Sequence, residues 1–165
     1  MEHAPWDHPW LVALEQPALG AAMRQSELLY PGVEILHILG FVLLVGSIVG
    51  FDLRVLGVNR GLPALAFARH NVPLAMIGFF IAAPAGLLLF ATEATSIAVN
   101  TAFRIKLACI AVGLLNAALF HLGPWRDLDR WGHTVTAPVA ARVGAVISLL
   151  AWTGAIIGGR LIAYL

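Results

Sequence analysis

The chain has 165 residues, of which 60% are hydrophobic and 12% charged, with a formal net charge of +1. A soluble domain carries about 25% charged residues, so this composition excludes an ordinary soluble globule, and the near-neutral charge gives no support for a nucleic-acid partner. The single cysteine, Cys109, excludes a disulfide framework and a CxxC site.

Residues 1–32 carry Glu2, His3 and Asp7 where a cleaved leader would be basic, and no apolar core precedes residue 30. Pro9 to Leu29 reads as one amphipathic helix. Leu11, Leu14, Leu19, Ala22, Met23 and Leu29 are its apolar residues; Glu15, Gln16, Arg24, Gln25 and Glu27 are polar. Trp6 and Trp10 suit the headgroup level, so the segment is expected to lie at the membrane interface. The alternative is a solvated surface helix.

Four apolar stretches follow, at about 33–57, 72–92, 102–121 and 138–163. Each is near or above the ~20 residues a bilayer core requires. The expected fold is therefore all-α: an integral membrane four-helix bundle with an extra N-terminal amphipathic interfacial helix, and no room for a separate soluble catalytic domain.

In the first span, Asp52 follows Glu34 by about five full turns, so the two share one azimuth, and His37 lies ~60° away. Gly40, Gly46, Ser47 and Gly50 form a second, smooth face. The second span has Pro73 in its expected first turn and Pro84 inside, where it should bend the helix. Gly78 and Gly86 leave room for a neighbour. Lys106, Cys109, Gly113 and Asn116 recur along one face of the third span, and Gly123-Pro124 breaks it. In the following loop Trp125 and Trp131 are expected at the headgroups, and Asp127, Asp129, Arg126 and Arg130 as solvated local pairs. The fourth span carries Gly144, Ser148, Ala151, Ala155 and Gly158 on one stripe, a seam that lets backbones approach. Arg142 and Arg160 share the opposite azimuth.

We call the side bearing residue 33 proximal and the side bearing residue 57 distal. Arg54, Arg60, Arg69, Arg126, Arg130 and Arg142 are distal; Arg24, Arg104, Lys106 and Arg160 are proximal, the last three at or inside helix ends, together with Glu2, Asp7, Glu15, Glu27, Glu34 and Glu93. This basic bias puts the distal side in the cytoplasm. The expected location is a bacterial inner membrane with both termini periplasmic.

Two polar layers result. The proximal layer holds Glu34, His37, Lys106 and Arg160, with Arg104 close by. The distal layer holds Asp52, Arg54, His70, Asn116, His121 and Arg142. Ionisable groups at membrane depth are functional candidates. The structural alternative is that Lys106, Arg142 and Arg160 snorkel and that Asp52 and Arg54 form a helix-end pair.

Several chemistries fit these layers. A four-helix membrane bundle holds haem b between histidines at matching depth, with basic groups at the propionates. His70 and His121 are the candidate axial pair. His37, with Lys106, Arg104 and Arg160 nearby, is a further haem-iron ligand, its partner being His3, His8, Met23 or none. A quinone needs a donor to its carbonyl in an apolar cleft, which His37 or Lys106 supplies, with Glu34 as proton partner. Copper held by His37, Met23, His3 and His8 is a third option. The non-catalytic alternative is a cofactor-free accessory or assembly subunit, or a homo-oligomer. It would pack through the Gly46–Gly50 and Gly154–Gly158 seams onto a larger membrane complex. Nothing resembles the broken-helix substrate site of a transporter.

The runs HILGFVLLVGSIVGFDLRVLG and FRIKLACIAVGLLNAALFH carry a resemblance. An early histidine and glycine, a DLR-x-LG at the span's end, and a later span with lysine and asparagine resemble a bacterial family of small four-span membrane proteins known only as a domain of unknown function. The resemblance covers nearly everything from Glu27 onward. It implies fold and membrane location and brings no activity. A looser similarity, through His37 and a few glycines, links the chain to copper-resistance D membrane domains and small b-type cytochromes. The chain departs from the di-haem pattern in lacking a second pair of intramembrane histidines.

Overall fold

The computed structural model describes residues 8–16, 18–59, 61–131 and 137–165. His3, Trp6 and Arg60 lie outside the described residues. The helices are α1 (Pro9–Glu15), α2 (Ala18–Gln25), α3 (Leu29–Val55), α4 (Ala64–Thr92), α5 (Ala94–Ile97), α6 (Thr101–Leu122), α7 (Leu128–Trp131) and α8 (Val139–Leu161), with a 3-10 turn at Pro124–Asp127. Four of them, α3, α4, α6 and α8, are long and apolar enough to cross a membrane. Ile35, Leu39, Val42, Phe80, Leu87, Leu115 and Leu150 point outward and are more than half exposed. Apolar faces of this extent need lipid around them. The protein is a multi-pass four-helix membrane bundle.

Helix ends follow local chemistry. Gly57, at φ 105°, sits just past the end of α3. Its N–H donates to the Arg54 carbonyl at 3.1 Å, and Val58 N–H donates to the Leu53 carbonyl at 2.9 Å. This is a Schellman closure, which favours glycine because it needs a left-handed residue. Asn100 caps α6: its Oδ1 accepts from Phe103 N–H at 3.1 Å, and its Nδ2 donates to the Ile162 carbonyl at 3.2 Å. That second bond fastens the start of α6 to the end of α8.

Two boundaries and the place of one tryptophan differ from expectation. The second spanning helix begins at Ala64, not residue 72. The polar run Arg69-His70-Asn71 stays helical, with Asn71 Nδ2 donating back to the Phe67 carbonyl at 3.0 Å. Pro73 therefore lies inside the helix. The N-terminal segment is two helices, α1 and α2, with Pro17 between them in sequence, because a proline disfavours helix at the residue before it. Trp131 is buried at the distal end among Phe51, Val55, Ala64, Ala68 and Leu128. Its indole N–H donates to the Pro124 carbonyl at 2.9 Å, so it belongs to the core and not to a headgroup layer. The Arg130–Asp127 pair, 2.9 Å apart, is exposed as expected.

Small residues decide which helices touch. α3 packs along α4, α6 along α8, and the two hairpins meet through α3 and α8. A Cβ on Gly40 would lie 2.7 Å from the Ala82 backbone nitrogen, and one on Gly78 would lie 2.6 Å from the Gly40 carbonyl oxygen. Gly40 and Gly78 therefore set the α3–α4 distance. On the other hairpin, Gly113 lies under the Trp152 indole, Gly154 under Cys109 Sγ, and Gly158 against the Ala102 carbonyl. Asn116 Nδ2 donates to the Gly144 carbonyl at 3.1 Å. The Gly154–Gly158 seam is thus occupied by α6, inside the bundle.

The N-terminal helices cover part of the proximal end. Leu11 and Met23 are buried. Arg24 Nη1 donates to the Thr92 carbonyl at 3.0 Å and Nη2 to the Glu15 carbonyl at 2.8 Å. Glu15 Oε1 accepts from Thr95 N–H at 2.7 Å and from its hydroxyl at 2.8 Å. These bonds hold α1 and α2 against the α4–α5 connection.

Candidate functional site

Depth and azimuth bring four of the sequence candidates to one place. Glu34 and His37 on α3, Lys106 on α6 and Arg160 on α8 line a single cavity of about 1000 Å³ in the proximal half. Tyr30, Glu93, Ser96 and Asn100 complete its polar rim, and Phe41, Leu89 and Phe90 supply apolar wall.

His37 is fixed within it. A carbonyl oxygen only accepts, so the contact of 2.7 Å between His37 Nδ1 and the Ala82 carbonyl is an N–H donation from the ring. In the neutral imidazole this leaves Nε2 as the bare, lone-pair nitrogen. Among the described residues Nε2 has no hydrogen-bond partner. Gly86 of α4 makes the seat: a Cβ there would lie 2.8 Å from His37 Cε1. Phe41 stacks one turn further on, with ring centroids 6.2 Å apart.

The cations reach the cavity differently. The Lys106 stem lies across the bare backbone of Gly158 and Gly159, with Nζ 3.8 Å from where a Gly159 Cβ would be. Arg160 Nη2 donates to the Tyr164 hydroxyl at 2.8 Å, and its guanidinium lies over that ring at 5.1 Å. No carboxylate pairs with either one among the described residues. Arg104 is exposed and its Nε donates to the Ala98 carbonyl at 3.1 Å, so it stands outside the cavity wall.

His70 and His121, the candidate axial pair of the distal layer, stand apart from this proximal site. His70 is exposed on α4 and lines neither of the two cavities described in this bundle. His121 is exposed at the distal end, stacked on Trp125 at 4.8 Å, with its Nδ1 donating to the Ala117 carbonyl at 2.7 Å. Of the residues considered for copper, Met23 is buried on α2, His8 is exposed, and His3 lies outside the described residues. Among the described residues no three His, Cys, Asp or Glu side chains come within metal-binding reach.

The helix-end pairing considered for Asp52 and Arg54 is absent. Both are buried, but Asp52 is hydrogen-bonded by Ser148 of α8, while Arg54 Nε donates to the Leu62 carbonyl.

Sequence reasoning missed Tyr30, Glu93, Ser96 and Asn100 as lining residues. Asn100 carried a signal, an N-cap residue opening a span. Ser96 carried none. No family model matches this chain, and comparison with curated proteins and with solved structures gave no significant match.

Proposed function

We propose that this bundle is a redox-related membrane protein whose proximal cavity takes a quinone head group. The observation carrying this reading is His37: Nδ1 is anchored on the Ala82 carbonyl and Nε2 is bare in a cavity that also holds Lys106. A quinol hydroxyl donates to that nitrogen. A quinone carbonyl accepts from the Lys106 ammonium. Glu34, one helical turn from His37 on the same cavity wall, is the acceptor for a proton passing on from the ring. A volume of about 1000 Å³ accommodates a head group with the first part of its apolar tail, since ligand pockets run about 300–1000 Å³.

Haem b is the second reading, and the same bond favours it. A histidine that ligates iron through Nε2 is oriented by its Nδ1–H on a carbonyl. Lys106 and Arg160 would then face the propionates. Only one described histidine lies in the cavity, which favours the quinone over a bis-histidine haem. In either case we place the protein in a bacterial inner membrane with the distal side cytoplasmic, because Arg54, Arg69, Arg126, Arg130 and Arg142 gather there.

The cofactor-free accessory reading rests on Gly46. A Cβ there would meet nothing within 4 Å, so one small-residue position on α3 is left without a helix against it. Solvent extraction and a redox difference spectrum separate the readings. Quinone in the extract or a haem band, diminished by His37→Ala, supports a cofactor. An intact, cofactor-free protein that co-purifies with larger subunits supports the accessory role.

A further inference from the structure

The bundle has a second cavity that the proximal site does not use. It lies in the distal half between α4 and α6, is floored by α3 and α8, and has a volume of about 280 Å³. Asp52 lines it, 6% exposed. One carboxyl oxygen is served by the Ser148 hydroxyl. The other, Oδ2, is buried with no hydrogen-bond partner, the only such side-chain atom among the described residues. A buried carboxylate oxygen without a donor is costly and asks for an explanation.

The rest of the cleft has the same imbalance. Asn71 and Asn116 both line it, and both direct their amide NH2 groups at backbone carbonyls, of Phe67 and Gly144. Each is left with a side-chain oxygen that has no donor. Asn71 Oδ1 faces α3, 3.7 Å from where a Gly50 Cβ would be. No lysine or arginine lines the cleft. Arg54 is turned to the Leu62 carbonyl, Arg69 and Arg142 are exposed on α4 and α8, and His121 stands at the rim with Nδ1 on Ala117. The cleft thus holds three side-chain oxygens without a donor and no lysine or arginine; its own donors are the Ser148 hydroxyl, already engaged by Asp52, and the indole N–H groups of Trp125 and Trp152. Its remaining walls are apolar, part aliphatic and part aromatic, the latter including Phe79, Phe120 and Trp152. Aromatic faces attract cations.

We propose that this cleft binds a lipophilic organic ammonium, with Asp52 Oδ2 as its counter-ion. The ammonium N–H groups satisfy Asp52 and the oxygens of Asn71 and Asn116, while the hydrocarbon body packs on the aromatic walls. A small inorganic cation fits less well, because it requires oxygens on most sides and this cleft is mainly apolar. The ligand reaches the cleft from the bilayer, between α4 and α6.

The test uses the full chain in detergent with aminoadamantane as probe and the uncharged adamantanol as its near-isosteric control. Trp125 and Trp152, two of the five tryptophans, line the cleft, so occupancy is read as the saturable change in tryptophan fluorescence. The amine is expected to bind saturably and about tenfold or more tighter than the alcohol. Asp52→Asn, which keeps the shape and removes the charge, is expected to abolish that preference. Equal binding of amine and alcohol by the natural protein, or no binding of the amine, overturns the proposal without reference to any variant. So does an Asp52→Asn protein that keeps the preference, or proton uptake at Asp52 with no amine bound.

Discussion

The His37 ring fills the space a Gly86 side chain would need. A Cβ at Gly86 would lie 2.8 Å from Cε1 and 3.1 Å from Nδ1 of that ring. One helix supplies the imidazole, and the next supplies both its seat and, through the Ala82 carbonyl, its anchor.

Gly86→Ala is therefore expected to dislodge the ring. Alanine in a helix interior gains about 1 kcal/mol over glycine, while overpacking costs about 1–3 kcal/mol, so the net change in stability is small and unfavourable. The functional effect is larger: the His37-dependent cofactor signal is lost while the bundle remains folded. Thermal unfolding in detergent, together with the difference spectrum, reads both quantities.

Gly78→Ala meets a different obstacle. The new methyl would collide with the backbone of α3 at Gly40 and Leu44, which cannot rotate out of the way. A loss of about 3 kcal/mol or more is expected, at the upper end of overpacking costs. Denaturant or thermal titration of the variant beside Gly86→Ala tests whether α3–α4 packing is the less forgiving contact.

Asp52→Asn should leave stability unchanged or raised. It removes a buried charge whose Oδ2 has no partner and retains the oxygen that Ser148 serves. Ser148→Ala should lower stability, by about 1–3 kcal/mol, because it leaves the whole carboxyl without a donor. The opposite signs, measured by thermal unfolding, distinguish an unmet carboxylate from an ordinary core position.

Glu15→Ala removes both bonds that tie α1 to Thr95. Charged hydrogen bonds of this kind contribute about 1.5–3 kcal/mol each when buried, and less at this half-buried position. Faster hydrogen exchange across residues 8–25, with the four long helices unchanged, is the expected outcome.

The architecture was legible because lipid imposes length and composition on each spanning helix. Small-residue faces were legible too: Gly40, Gly78, Gly113 and Gly158 sit where helices cross. Gly46 has no helix against it, since a small residue marks where a close approach is allowed and not which neighbour arrives. The level of Glu34, His37, Lys106 and Arg160 could be counted along the helices, and the cavity they share follows from it. Which histidines face one another could not. That depends on α3 pairing with α4 and α6 with α8, a choice made by glycine contacts between helices and invisible within any one of them. The helical reach of α4 back to Ala64 was hidden for another reason. Polar residues at a helix end look like loop until a side-chain bond such as Asn71 to Phe67 is seen.

The most direct measurement is a reduced-minus-oxidised spectrum of the purified protein, with quinone analysis of its solvent extract, alongside His37→Ala prepared identically. The account predicts a bound redox group in the natural protein, quinone first and haem second, and its loss from the variant while the helices remain folded. A folded natural protein with neither group, or a His37→Ala variant that retains the full amount, would contradict it.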